Sequence, residues 1–364
     1  MTDKNIANDI KISSEALSTF VETIFERMDT QPETARIVAQ HLVEANLKGH
    51  DSHGVGMIPS YVKNLRADLL KANAPMSVLR DNGAVVMLDG QYGFGQRVGK
   101  EATQFAIERA KDIGLVCVGL RNAHHLGRIG TYGEQCAEAG MVSMHYVNVV
   151  GHPPAVSPFG SREARMTTNP FCAVVPRTDA PPVVLDMATS QIALGKVRVA
   201  YHKGTAIADG ALIDHEGRPT NDPAVMFEEP RGTLGPFGSH KGYGLAVLCE
   251  LLGGALAGEW TMQPEHPRSH NIVNNMLMFV LNPEATGNAE GFQREVTAMI
   301  DYLHSAQPAE GTDRVRVPGE PERESRARRL QDGIPLDASS WQSIIHAAAE
   351  AGLSAEDIEA VPLK

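Results

Sequence analysis

Apolar positions change period twice along the chain. Leu17, Phe20, Ile24 and Met28 follow Ser13 and Ser14 at helical spacing, which predicts an amphipathic helix there. A second helix is predicted over residues 32–48, with Thr30 as its cap, Pro32 in its first turn and Gly49 as its stop. Its stripe is Ala35, Val38, Leu42 and Ala45, which leaves His41 on the surface. A short helix is expected over residues 59–65. From about residue 76 strands alternate with helices. Strands are predicted at 84–88, 115–120, 142–148, 171–175, 183–185 and 274–281, and helices at 96–113, 131–139 and 241–256. The tail turns helical again at 289–305, 321–331 and 339–351, the last capped near Asp337. Residues 307–322, rich in Pro, Gly and charge, read as a linker. The expected class is mixed α/β (α+β). A helical unit built from both termini (1–75 with 287–364) would flank an α/β unit over 76–286, without repeats.

Composition narrows the function. The 364 residues are 42% hydrophobic and 21% charged, which suits a soluble globular protein. The formal charge of −11 disfavours nucleic acid and anionic membrane surfaces as partners. No apolar run reaches the roughly 18 residues of a spanning helix, and Glu250 interrupts the best candidate. The N-terminus carries no apolar signal-like segment, and Cys117, Cys136, Cys172 and Cys249 show no CxxC spacing. A cytoplasmic protein with reduced, buried thiols is expected.

Five segments could carry chemistry. Gly93-Phe-Gly-Gln-Arg-Val-Gly99 follows a strand and opens a helix, but its spacing is one residue too long for a dinucleotide fingerprint. The next strand ends in Leu120-Arg121, without a ribose-binding acid. Glycines easing a turn and a helix–sheet contact are the simpler account. His50-Asp-Ser-His-Gly54 is either a solvated helix-end loop or an acid–base site, since a histidine held by a hydroxyl or carboxylate suits proton transfer. Asn122-Ala-His-His-Leu-Gly-Arg128 follows a buried strand, where α/β proteins place ligands, and suits acid–base work or anion binding. Adjacent histidines point apart and no further ligand is suitably spaced, so no metal is expected. Asp186 closes a short strand; it could cap a helix, hold a ribose or orient a histidine. Gly235-Pro-Phe-Gly-Ser-His-Lys-Gly-Tyr-Gly244 is either a flexible loop or a phosphate cradle using helix-start amides and Lys241.

Asp51-Ser-His-Gly-Val55, Asn122-Ala-His-His-Leu-Gly127, Thr168-Asn-Pro170, Leu185-Asp-Met-Ala-Thr-Ser190 and His240-Lys-Gly-Tyr-Gly244 occur in that order. With Arg316-Val-Pro-Gly-Glu320 and Gly333-Ile-Pro-Leu-Asp337, they resemble the malate/L-lactate dehydrogenase family of non-Rossmann NAD(P)-dependent oxidoreductases. The stretch Ser52 to Tyr61 and residues 222–226 look closest to the hydroxycarboxylate dehydrogenase B branch. The resemblance implies a non-Rossmann cofactor domain for NAD or NADP, a helical domain from both termini, and a homodimer whose active sites lie at the subunit interface. The implied substrates are small 2-oxo and 2-hydroxy acids.

Roles follow position by position. His53 matches the proton donor, and His125 a second histidine proposed for acid–base work. Ser52 and Tyr61 match substrate-pocket positions. Asn148, Pro182, Val183, Val184, Leu185, Asp186, Met187, Ala188, His240, Lys241, Gly319, Glu320 and Pro321 match cofactor contacts. Asp186 is also expected to orient a histidine. Two positions depart from the family. Met57 stands where many members hold a substrate carboxylate with arginine, so Arg128 is the expected substitute. Thr167 replaces a glycine before Thr168-Asn-Pro, so a different local backbone is expected. Met57 would wall a hydrophobic pocket and favour oxo acids with apolar or aromatic tails over malate. Related enzymes reduce cyclic imino acids, dehydrogenate ureidoglycolate or reduce diketo sugar acids. These remain alternatives, as does a non-catalytic nucleotide-binding protein.

Overall fold

A computed structural model describes residues 9–269 and 271–363. At the N-terminal side are β1 (Asp9–Ile12), α1 (Ser14–Glu26), α2 (Pro32–Leu47) and α3 (Ile58–Arg66). Ser13 caps α1 by accepting from the Ala16 amide. Helix α2 starts without a side-chain cap, after Gln31 rather than Thr30, whose hydroxyl is buried and unpartnered.

The middle of the chain supplies β2 (Ser77–Asp81), β3 (Val85–Asp89), α4 (Gly95–Ile113), β4 (Leu115–His124), α5 (Gly130–Glu138), β5 (Val142–Val150), β6 (Phe171–Val175), β7 (Val183–Met187) and α6 (Leu194–Lys203). A small sheet of β8 (Leu212–Ile213), β9 (Pro219–Thr220) and β10 (Thr233–Leu234) follows. Then come α7 (His240–Cys249), continued as a π-helix over Glu250–Gly258, β11 (Val273–Leu281) and α8 (Ala289–His304). The chain closes with α9 (Glu320–Asp332), β12 (Ile334–Asp337), α10 (Ala338–Glu350) and α11 (Ala355–Glu359).

The main sheet has the order β2-β3-β4-β11-β5-β6-β7. Only β3 and β4 run parallel; the other neighbours are antiparallel. A doubly wound dinucleotide fold needs a mostly parallel sheet, so this is the mixed, non-Rossmann class. Central β11 is buried along most of its length, as its near-continuous apolar run requires.

Two principal cores form. One gathers Leu17, Phe20, Leu42, Ile58, Tyr61 and Phe94 with Ile334, Trp341 and Ile344, joining both ends of the chain. The other lies between α4, α5 and the sheet. Strand β1 pairs antiparallel with β12, Ile12 opposite Ile334. Helix α8 bonds to the sheet side instead, through Gln293 with the Thr178 amide and the Pro176 carbonyl, although the expected boundary at 287 groups it with the termini.

The glycine-rich start of α4 serves packing. A Cβ on Gly95 would lie 2.3 Å from the carbonyl oxygens of both His124 and His125, and one on Gly99 2.6 Å from the Tyr132 ring. No helix among the described residues is long and apolar enough to cross a membrane. All four cysteines are unpaired.

Candidate active site

A cavity of about 580 Å³ lies where the ends of β4, β5 and β11 meet the terminal helical elements and α6. The turn after α2 forms one wall. There Asn46, itself buried, donates to Asp51 at 2.7 Å and accepts from the Val55 amide at 2.8 Å. Gly54 permits this approach, since a Cβ would sit 2.1 Å from Asn46 Oδ1. Arg329 of α9 grips Asp51 with two bonds of 2.6 and 3.0 Å. Ser52, His53 and Met57 thereby face the cavity. Ser52 Oγ lies 2.9 Å from His53 Nδ1, which leaves Nε2 for the cavity.

Strand β4 supplies the opposite wall. It continues four residues beyond the predicted end. Arg121 pairs with Asp89, and the Asn122 amide donates to Asn275, so both polar residues fit the sheet. His125 lines the cavity, and its Nδ1 meets Tyr61 Oη at 2.7 Å. The imidazoles of His53 and His125 stack with centroids 5.5 Å apart. His124 points away to Asn64, at 2.9 Å.

Burial dominates the electrostatics. It lowers the pKa of His53 to about 4, against the opposing pull of Asp186 and with help from His50 and Arg128. Burial, with His53 and His124 nearby, holds His125 well below the usual imidazole range. Both rings are therefore neutral near pH 7.

Arg128 does not reach the cavity, although its neighbours Gly127 and Ile129 do. Its side chain is 1% exposed, is forked onto Glu134 at 2.9 and 3.1 Å, and lies 3.5 Å from Asp186. Burial alone would lower its pKa, but the two carboxylates outweigh it and raise it. The expected role of Arg128 as carboxylate holder therefore needs correction: its charge is already matched by two partly buried acids. Asp186 also accepts from the Gly130 amide at 2.8 Å and so fixes the start of α5. His41, expected on the surface, is buried and accepts from the Arg128 amide at 3.0 Å. A second cavity of about 560 Å³ opens behind this cluster, beside His41, Lys48 and Glu134, but neither His53 nor His125 lines it.

Thr167 keeps an ordinary backbone; Asn169 carries the positive φ, 26°. The Thr167 hydroxyl bonds to the Val149 carbonyl and Asn169 Oδ1.

The remaining residues expected to contact the cofactor lie along β7 and the segments bonded to it, outside the cavity lining. The Val184 amide donates to the Pro318 carbonyl, and Arg323 to the Pro182 carbonyl, at 3.0 Å each. This sets Pro182, Val183 and Val184 beside Gly319, Glu320 and Pro321. Leu185, Met187 and Ala188 complete the edge segment, and the loop before His240 and Lys241 joins it where the Phe237 amide meets the Thr189 carbonyl. His240 and Lys241 are exposed at the start of α7. Asn148 is buried and its amide is spent on Trp260 and Asn275.

This edge fits a polyanionic coenzyme. Burial lowers the pKa of Arg323, against the opposing pull of Glu320, Glu134 and Glu322, with a smaller push from Arg177, whose Nε is buried without a partner. That unpartnered guanidinium nitrogen suits a phosphate oxygen. Sequence reasoning missed Gln96, Asn64, Lys196 and Arg198. Lys196 and Arg198 line the cavity from α6, exposed and without an ion pair among the described residues. Gly195 brings α6 close, since its Cβ would lie 3.1 Å from Ser52 Cβ.

Comparison with known proteins identifies the family. The family described as malate/L-lactate dehydrogenase matches residues 12–345. Hydroxycarboxylate dehydrogenase B of Escherichia coli K12 is 45% identical over 352 residues, covering 96% of this chain and 97% of that protein. L-lactate dehydrogenase of Cupriavidus necator is 41% identical, covering 92% and 96%. A solved E. coli chain assigned to the malate/lactate dehydrogenases superposes with a TM-score of 0.91 at 44% identity, covering 96% and 98%. Matched by the family over residues 12–345 and near its full length by relatives at 41–45% identity, this chain belongs to the malate/L-lactate dehydrogenase family of NAD(P)-dependent oxidoreductases.

Proposed function

We propose that the protein interconverts 2-oxo and 2-hydroxy acids, with His53 and His125 as the groups that meet the reacting oxygen. The observation that carries this reading is the stacked imidazole pair, each ring held at Nδ1 by a hydroxyl with Nε2 left for the cavity. When bound, the nicotinamide coenzyme takes up or supplies the hydride at C2 of the substrate. In oxidation a neutral imidazole accepts the hydroxyl proton, and the low pKa of His53 keeps it in that form. In reduction the ring must first gain a proton, which a bound carboxylate favours by offsetting burial.

Lys196 and Arg198 are the cations that can meet this carboxylate, in place of Arg128. Met57, Ile129, Val149, Leu194 and Leu336 give the cavity apolar surface, which suits apolar or aromatic tails. Asp186 positions the loop that carries His125 rather than touching the substrate. The edge along β7, with Gly319, Glu320 and Pro321, is the coenzyme side of this reading.

The reading includes a cytoplasmic homodimer. Leu248, Leu251 and Leu256 expose an apolar strip that a second copy would cover, and sedimentation velocity tests that association.

The deciding experiment is a panel of 2-oxo acids with NADH and NADPH, run beside the reverse oxidations and a set of cyclic imines. Turnover of aromatic oxo acids above malate-type substrates is expected. Arg198→Ala should raise KM for the oxo acid by about tenfold, the worth of one exposed charge-assisted contact. Turnover of imines alone, or of nothing in the panel, would remove the reading.

A further inference from the structure

Two imidazoles share one cavity, but the bonds behind them differ. Behind His125 stands a buried chain. Gln96 Nε2 donates to Tyr61 Oη at 2.7 Å, and Oη lies 2.7 Å from His125 Nδ1. Gln96 is 1% exposed and Tyr61 0%, so water does not compete for these bonds. The chain is held in register because Gly95 packs against the carbonyls of His124 and His125.

A phenol has a single hydrogen. If Oη accepts from Gln96, its own hydrogen goes to His125 Nδ1. The ring hydrogen of a neutral His125 then sits on Nε2. Behind His53, among the described residues, the hydrogen-bond partner is the Ser52 hydroxyl, which is half-buried and can turn to give or accept.

We propose that Gln96 is a positioning residue that acts through Tyr61 to hold His125 as a neutral Nε2–H donor, leaving His53 to move the proton. This rests on the reading of the cavity as the oxidoreductase site. His125 donates to the substrate oxygen in both directions and keeps its protonation state. In oxidation the substrate O–H bond breaks and its proton goes to His53 Nε2, while the C2–H bond breaks and its electron pair leaves with the hydride for the coenzyme. Reduction reverses both transfers. Turned over, the Gln96 amide would accept from Tyr61, and His125 would present a bare Nε2, a base instead of a donor.

Two-bond ¹H–¹⁵N correlation spectra of the full chain, labelled at histidine, test the proposal at pH 7.5. His125 is assigned by the signals lost in His125→Asn. The unmodified protein should show Nδ1 unprotonated and Nε2 protonated. Gln96→Leu and Tyr61→Phe should each move both nitrogens toward averaged positions, and Gln96→Leu should lower kcat about tenfold with coenzyme KM changed less than about twofold. A protonated Nδ1 in the unmodified protein overturns the proposal without any variant. So does an unchanged Nε2–H form in both folded variants. Full turnover in His125→Asn overturns the division of roles whatever the tautomer, and separates that failure from failure of the hydrogen-bond chain.

Discussion

The two walls of the cavity are built on opposite terms. The His125 wall is part of the sheet and the buried core. Its polar neighbours bond inward, Tyr61 to Gln96, His124 to Asn64 and Asn274 to the Leu126 amide, with Gln96 Oε1 and His124 Nδ1 left buried and unpartnered. The His53 wall is a short turn between helices, clamped at Asp51 but half open at Ser52 and His53. A rigid, dry wall is suited to aiming a hydrogen bond. A turn in contact with solvent is suited to a group that must exchange a proton on each turnover.

The strongest way to break this contrast is to remove one imidazole. His53→Ala should keep coenzyme binding, read by fluorescence titration, and lose about 10²–10⁴-fold in kcat. Turnover near the unmodified level would take His53 out of the chemistry.

Next in size is Arg128. Arg128→Met leaves Asp186 without its buried cation and Glu134 with Lys48 alone, which should cost about 3 kcal/mol of stability and lower the melting temperature. If Arg128 held the substrate instead, the variant would keep its melting temperature and raise KM.

The third effect is spread over both walls and the sheet. Burial lowers the pKa of His41 and His124 to about 3, of His53 and His145 to about 4, and of His125 also well below the usual value. The unfolded chain binds protons at these sites below about pH 6.5, where the folded protein does not. Stability should therefore be complete above that pH and fall steadily toward pH 4. Urea midpoints at pH 7.5 and pH 5 test this; an equal or higher midpoint at pH 5 would count against neutral burial.

Much of this was legible in the chain because period and capping agree. The spacing from Leu17 to Ile24, the Ser13 cap and the Asp337 cap all mark real helix starts. Four-residue strands were not legible. Asp9–Ile12 and Ile334–Asp337 are too short to show alternation, and their partners lie at opposite ends of the sequence. Helix α6 is not legible because its apolar stripe is weak: among its described residues Val197 is buried while Lys196, Arg198 and Val199 are exposed. His41 follows Val38 by three residues and so continues the buried stripe; its polarity hid that position. Gln96 sits in the glycine segment that opens α4, and its contact with Tyr61, 35 positions away, is long-range and carries no periodic signal.

The clamp between Arg329 and Asp51 has a consequence for biogenesis. The two residues are separated by 278 positions, so a nascent chain leaving the ribosome carries the His53 turn long before its guanidinium partner exists. The His53 wall of the cavity would be among the last parts of the molecule to set, and a chain released before α9 would leave that turn unfastened.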